Sequence, residues 1–278
     1  MAQVPTVALN DERNIPQLGF GVWQVGNDEV VRAVQVALET GYRSIDTAQI
    51  YGNEEGVGRA IRNSAVPREE IFITSKLRTS QQSYDDAIRS FEDALQRMGL
   101  NYLDLFLIHW PTPAQNKYHE AWKAFVHLQK EGRVRSIGVS NFLPEHLDKI
   151  IDETGVAPAV NQIELHPEYQ QQDVRDFHQR HQIAIESYSP LGSGALLENP
   201  AIGDIARKHG VSPAQVMIRW QIQEGLIVIP KSSNPERIRS NFDVFAFELD
   251  KDDLSKIAKL DKTDGKIGSH PNEMNRPF

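Results

Sequence analysis

Short apolar runs alternate with amphipathic stretches along most of the chain. The runs are Leu18–Gly21, Ser44–Asp46, Ile71–Lys76, Asp104–His109, Ser136–Ser140, Val160–Glu164, Ala184–Ser187 and Leu226–Pro230. Most are rich in Ile, Val, Leu and Phe with little polar alternation, the pattern of parallel strands buried on both faces. Between them, Val30, Val34, Ala37 and Leu38 share one face of a helix predicted from near Asn27-Asp28 to Gly41. Ile88, Phe91, Leu95 and Met98 do the same, after a Ser83-x-x-Asp86 capping pattern and before Gly99. Ser212-Pro213 and Asn234-Pro235 each set a good N-cap ahead of a Pro at the first helical position. Eight buried strands separated by helices are the count of an α/β protein of the (β/α)8 TIM-barrel type; a doubly wound open sheet is the rival. The segment Val7–Ile15, with Asn10-Asp11-Glu12-Arg13-Asn14 as turn material, predicts a β-hairpin that in a closed barrel caps the N-terminal mouth. From Asp261 to Phe278 no periodicity remains, and a loop laid over the surface is expected.

Composition narrows the function classes. The 278 residues carry 30 Lys+Arg against 38 Asp+Glu, a net charge of -8, and no cysteine. The acidic balance argues against nucleic acid, whose binding needs clustered cations. Without cysteine there is no thiolate catalysis, disulfide or thiolate metal site. Met1-Ala2-Gln3-Val4-Pro5 does not read as a signal peptide, and apolar runs such as Leu105–Ile108 fall far short of the roughly 20 residues of a membrane span. A cytoplasmic, monomeric protein, one domain over residues 1–278, with no membrane partner, is expected.

In a barrel the loops after the strands build the active site, so polar residues at C-terminal strand ends carry the first functional signal. They are Asp46, Lys76, His109, Ser140-Asn141, Gln162 with Glu164, Glu186 with Tyr188, and Lys231. Any one of them is ordinarily a satisfied rim residue. An acid, a lysine and a histidine on three successive strands are gathered by a barrel onto one rim. Tyr51, five positions past Asp46, reaches the same cavity. A phenol titrates near 10; a neighbouring ammonium is expected to lower that value, and a carboxylate to position the ammonium. Neutral His109 donates a hydrogen bond to a substrate carbonyl. This device gives a proton to a developing alkoxide, and it needs a hydride source that side chains do not supply.

A second signal follows the eighth strand. In Ile227-Val-Ile-Pro-Lys231-Ser232-Ser233-Asn234-Pro235-Glu236-Arg237, Asn234 as N-cap is expected to present free backbone N–H groups beside Lys231, Ser232, Ser233 and Arg237. Phosphate groups bind such helix starts readily. Asn241 follows Arg237 by one turn, where it can hydrogen-bond a base. A site wanting hydride beside a phosphate site makes a phosphate-bearing nicotinamide the economical reading.

These motifs resemble those of the aldo-keto reductase superfamily. Gly41-Tyr-Arg-Ser-Ile-Asp46-Thr-Ala-Gln-Ile-Tyr51-Gly-Asn-Glu54-Glu-Gly-Val-Gly58, Ile229-Pro-Lys231-Ser232, Val160-Asn-Gln162-Ile-Glu-Leu-His-Pro and Ser136-Ile-Gly-Val-Ser140-Asn141 are similar to family segments in the family's order, from about Val7 to about Leu260. The wording Gly52–Gly58 and His109-Trp-Pro-Thr-Pro113 is nearest to prokaryotic 2,5-diketo-D-gluconate reductases. The resemblance implies reduction of aldehydes or ketones (small dicarbonyls or sugar-derived keto acids) with NADPH and no metal. It implies a catalytic tetrad of Asp46, Tyr51, Lys76 and His109, with Tyr51 the proton donor. It implies Ser140, Asn141 and Gln162 on the nicotinamide carboxamide, Tyr188 stacked on the ring, and Ser189, Leu191 and Gly192 along the pyrophosphate. Lys231, Ser232 and Arg237 would take the 2′-phosphate and Asn241 the adenine; Trp23, Tyr51, His109, Trp110 and the C-terminal tail would line the substrate pocket. The chain departs from those relatives at Arg78, where they usually carry an aromatic residue, and in the tail from Asp264 to Phe278.

Other classes fit less well. Gly19-Phe-Gly21 lacks the third glycine of a dinucleotide fingerprint, and Gly138-Val-Ser140-Asn-Phe142 has Phe where a nucleophile elbow closes with Gly. No Tyr is followed by Lys four residues later, and His119-Glu120 has no second His at helical spacing. A glycosidase using Glu164 and Glu186 leaves Lys76, Tyr51 and the anion site without a task. A cofactor-binding sensor or regulatory subunit of the same fold is the alternative, set against the complete tetrad.

Overall fold

A computed structural model describes residues 4–278. Its first element is the expected hairpin, β1 (Thr6–Ala8) paired antiparallel with β2 (Asn14–Pro16), Val7 opposite Ile15. Eight parallel strands follow: β3 (Phe20–Gly21), β4 (Ser44–Asp46), β5 (Phe72–Leu77), β6 (Leu103–Ile108), β7 (Val134–Ser140), β8 (Val160–Glu164), β9 (Ala184–Tyr188) and β10 (Ile227–Val228). They pair in chain order, each with the next. Bridges Leu18–Val228 and Gly21–Lys231 join the last strand to the first, with Gly19 N–H donating to Val228 O at 2.8 Å and Gly21 N–H to Pro230 O at 3.1 Å. The sheet therefore closes as a barrel, and the open-sheet rival is set aside.

The seam explains the glycine pair that mimics a dinucleotide fingerprint. A Cβ on Gly19 would stand 3.0 Å from both Ile229 Cγ2 and Ser44 Oγ, and one on Gly21 would stand 3.1 Å from Ile229 O. The two glycines let β3 and β10 approach. β10 ends at Val228; Pro230 has no N–H to donate, and pairing with the first strand resumes at Lys231.

Alternation along β6 shows the two layers. Leu105 and Leu107 face the barrel interior, packed with Leu9 and Ile15 of the hairpin, which plugs the N-terminal end. Phe106 faces outward between Phe91 of α3 (Tyr84–Met98) and Phe125 of α4 (Tyr118–Lys130), at centroid distances of 5.3 and 4.8 Å. Helix boundaries follow the caps. Ser83 accepts from Asp86 N–H ahead of α3, and α1 (Glu29–Thr40) stops at Gly41, whose φ of 122° only glycine adopts easily. Ser212 caps α8 (Pro213–Gln223) and Asn234 caps α9 (Pro235–Phe242). Six further helices, α2 (Glu54–Arg62), α4, α5 (Pro144–Thr154), α6 (Gln172–Arg180), α7 (Pro200–His209) and α10 (Lys251–Ala258), lie outside the four whose apolar face or cap the sequence predicts. Residues 261–278 form the expected irregular tail. It crosses the C-terminal mouth from Lys262, bonded to Glu168 O, to Phe278, bonded to Thr79 and Ser80. No helix of the described residues is long and apolar enough to cross a membrane.

Candidate active site

The barrel sets the ends of β4, β5 and β6 side by side. Asp46 ends β4, Lys76 lies near the end of β5, and His109 follows β6 directly. A short 3-10 turn, Gln49–Tyr51, swings the phenol back over Asp46. Lys76 Nζ is 2.6 Å from Asp46 Oδ1, 2.9 Å from Thr47 O and 3.4 Å from Tyr51 Oη. All three N–H directions of a fully buried ammonium are thus taken by an acid, a carbonyl and a phenol. Burial alone penalises this charge, but Asp46 and Tyr51 outweigh it and hold the Lys76 pKa above its ordinary 10.5.

For Tyr51 the balance runs the other way. Desolvation raises the phenol above 10, Asp46 adds to the rise, and Lys76 offsets them only in part. The expectation of a lowered phenol is corrected: removing water from the phenolate costs more than the ammonium returns. His109 is neutral, as expected. Burial and then Lys76 push it well below 6.5. Its ring stands edge-on to Tyr51 at 5.8 Å and to Phe278 at 5.7 Å.

A second group of polar side chains is locked from below. Ser140 Oγ donates to Gln162 O at 2.9 Å. Asn141 takes a left-handed backbone (φ 62°), tolerated by Asn better than by most residues. Its Nδ2 donates to His109 O at 3.0 Å, and its Oδ1 accepts from Tyr188 O–H at 2.8 Å. Gln162 Nε2 donates to Asp46 Oδ2 at 2.9 Å. Each side chain is thereby fixed before any ligand arrives.

Both groups face one cavity of about 490 Å³. Asp46, Tyr51, His109, Ser140, Asn141, Gln162, Tyr188, Ser189 and Lys231 line it, with Trp23 and Trp110 at the mouth and Ile267, Met274 and Phe278 of the tail across it. Pro190 and Ser193, which the sequence reading missed, line it beside Ser189; Ser189 and Ser193 have φ of 49° and 53°, a turn no local residue pattern announces. Leu191 does not line it: its side chain packs into the apolar core. Gly192 is buried beside it, with a φ of 56°.

Ser232, Arg237 and Asn241 lie beyond the cavity on the segment from β10 into α9. Lys231 and Arg237 are exposed and make no salt bridge among the described residues. The expectation of free backbone N–H groups at this helix start is corrected, because Asn234 Oδ1 already accepts from Glu236 N–H at 2.9 Å and Arg237 N–H at 3.1 Å. An anion here meets side-chain cations and the helix dipole. Arg78 is turned aside, its Nη2 donating to Gln49 O at 3.0 Å.

The two glutamates of the glycosidase reading do not form a working pair. Glu164 accepts from Ile267 N–H at 2.5 Å, Gly268 N–H at 2.9 Å and Lys266 Nζ at 3.0 Å, with His166 Nε2 at 3.3 Å. Burial raises its pKa, but these donors overcome it and hold the carboxyl at about 2. Glu186 is fully buried and does not line the cavity.

A parallel barrel with a paired lysine, a phenol and an imidazole at its C-terminal mouth is the architecture of a reductase of carbonyl groups. Known proteins agree. The model of the aldo/keto reductase family matches residues 17–262, and the chain belongs to this family. An aldo-keto reductase of Mycolicibacterium smegmatis is 56% identical over 271 residues, 98% of each chain. The methylglyoxal reductase DkgA of Escherichia coli K12 is 51% identical over 280 residues, 99% of each chain. Among solved structures, Gox0644 superposes with a TM-score of 0.95 at 50% identity, covering 98% of each chain, both in its apo form and as an alanine variant in complex with NADPH.

Proposed function

We propose that the protein reduces small, uncharged aldehydes and ketones to alcohols with NADPH. Support for the cofactor comes from the cavity itself, which joins a set of fixed amide and hydroxyl groups to the unpaired cation Lys231, with the unpaired Arg237 beyond it on α9. Ser140, Asn141 and Gln162 would hold the carboxamide, Tyr188 the ring, Ser189 with Leu191 and Gly192 the pyrophosphate, Lys231, Ser232 and Arg237 the 2′-phosphate, and Asn241 the adenine. Bound there, NADPH supplies the hydride for the carbonyl carbon.

The chain's own residues supply the rest. His109, neutral, donates from its ring to the carbonyl oxygen and orients it. Tyr51 is a protonated phenol throughout the neutral range, so its proton is in place when negative charge develops on that oxygen. As the proton leaves Tyr51, the phenolate formed lies against the Lys76 ammonium, which Asp46 holds at 2.6 Å. Stabilisation thus appears as charge develops and not before.

The observation that carries the substrate class is the outer end of the cavity. Trp23, Ile50, Trp110, Met274 and Phe278 line it, and Arg78 does not. Lys231, on the anion side, is the one cationic side chain among the lining residues. A substrate carboxylate would be desolvated without a partner, which disfavours sugar-derived keto acids against small dicarbonyls. The test is a panel of dicarbonyls, β-keto esters and keto acids, assayed by loss of reduced-nicotinamide absorbance. Neutral dicarbonyls should lead in kcat/KM; leading keto acids would refute the class. Tyr51→Phe should lower kcat at least about 100-fold, the lower range for a positioned proton donor, while NADPH still binds. A Phe variant that reduces carbonyls normally would remove Tyr51 from the mechanism.

A further inference from the structure

Beneath the four clustered groups lies a carboxyl that the reaction above does not use. Glu186 sits in the middle of β9, in register with Gln162 on β8 and Ile227 on β10, and none of its surface is exposed. Gln162 Nε2 donates to Glu186 Oε2 at 2.7 Å as well as to Asp46 Oδ2 at 2.9 Å. Both hydrogens of one amide nitrogen are therefore taken by carboxyl oxygens. Turned over, the amide would set its oxygen against the Asp46 carboxylate, which only accepts. Held as it is, Gln162 keeps its carbonyl oxygen Oε1 free for the cavity that it lines.

We propose that Glu186 is a positioning residue for the nicotinamide: by gripping the Gln162 amide nitrogen together with Asp46, it dedicates Gln162 Oε1 to the carboxamide N–H and so fixes how the ring is presented to the substrate carbonyl. The inference rests on the NADPH reading above. Charge is consistent with it. Asp46 and Glu186 flank the same nitrogen with one ammonium, Lys76, nearby; burial, then Asp46, raises the Glu186 carboxyl to about 8, against the smaller pull of Gln162 and Lys76. Burial and Asp46 thus favour the uncharged form of Glu186. It grips Gln162 without competing with Asp46 for the lysine. Glu186 Oε1 has no hydrogen-bond partner among the described residues, so the side chain's one contact of this kind is with Gln162.

The test compares NADPH with its reduced 3-acetylpyridine analogue, which has an acetyl group where NADPH has the carboxamide and so lacks that N–H. Binding is read by quenching of protein fluorescence, without turnover. Wild type should prefer NADPH. Glu186→Leu should weaken NADPH about tenfold, the scale of one hydrogen bond, and leave the analogue within about twofold. Glu186→Gln, which retains an acceptor oxygen, should keep most of the preference. Should the Leu variant not fold, Glu186→Thr carries the same expectation, its hydroxyl being too short to reach Gln162. Equal weakening of both cofactors marks a merely structural role and overturns the proposal, as does a wild type without preference or a Leu variant that binds as wild type. A wild type that binds neither cofactor overturns the NADPH reading itself, a result separable from all of these.

Discussion

At the residue scale, the site is governed by what burial does to charge. Lys76 stays ionised because Asp46 is 2.6 Å away, while Tyr51 stays protonated although Lys76 is close. The polar residues themselves were legible, because each interrupts an apolar run at its C-terminal end. Their mutual effects were not. The Gln162–Asp46 bond spans 116 positions, and the sign of the Tyr51 shift depends on how much water the fold excludes. The anion site yields a prediction at this scale. Lys231 and Arg237 are exposed and unpaired, so removing them costs the fold little. Lys231→Ala with Arg237→Ala should weaken NADPH about tenfold or more and NADH by less than about twofold. Fluorescence titration with both nucleotides checks this, and equal losses would contradict a 2′-phosphate site.

At the scale of elements, the tail matters most. Its path was not readable, because residues 261–278 carry no periodicity and are placed by partners far away in sequence. Glu164 is the chief of these. It clasps Lys266, Ile267 and Gly268, and a Cβ on Gly268 would come within 2.9 Å of its carboxylate, so glycine is what lets the tail lie so close. Glu164→Gln should loosen the strap: KM for the carbonyl should rise severalfold, and proteolysis within 262–278 should quicken. Unchanged KM and cleavage would show that the other anchors, such as Asn275 on Ala114 N–H, suffice. The clasp also has a pH sign. The folded pKa, about 2, lies below the ordinary 4.5, so its contribution is complete above about pH 4.5 and is lost as pH falls toward 2.

For the whole molecule, buried neutral histidines make the fold sensitive to acid, and His178 is one of them. His178 Nδ1 lies 2.6 Å from Val174 O, and its Nε2 lies 2.8 Å from Asn161 Nδ2, whose N–H donates to it. Only the neutral ring with its proton on Nδ1 satisfies both. Burial brings its pKa from 6.5 to about 4, with a smaller opposing effect from Val174 O. Because the unfolded chain takes the proton more readily, stability is greatest above pH 6.5 and declines as pH falls toward 4. Thermal unfolding should drop by several degrees between pH 7 and pH 5, and His178→Gln should flatten that slope. A variant with the wild-type slope would place the acid sensitivity elsewhere, His109 being the next candidate.

Periodicity, end-capping residues and the polar break after each apolar run are local properties, and by themselves they determined the eight strands with helices between them, the hairpin and most of the polar groups at the strand ends. Closure of β10 on β3, the partners of Glu164 and Glu186, and the direction in which each buried pKa moves were decided only by the tertiary structure. The physical reason is that burial and hydrogen bonding depend on neighbours in space, and the barrel makes neighbours of residues that the chain holds far apart.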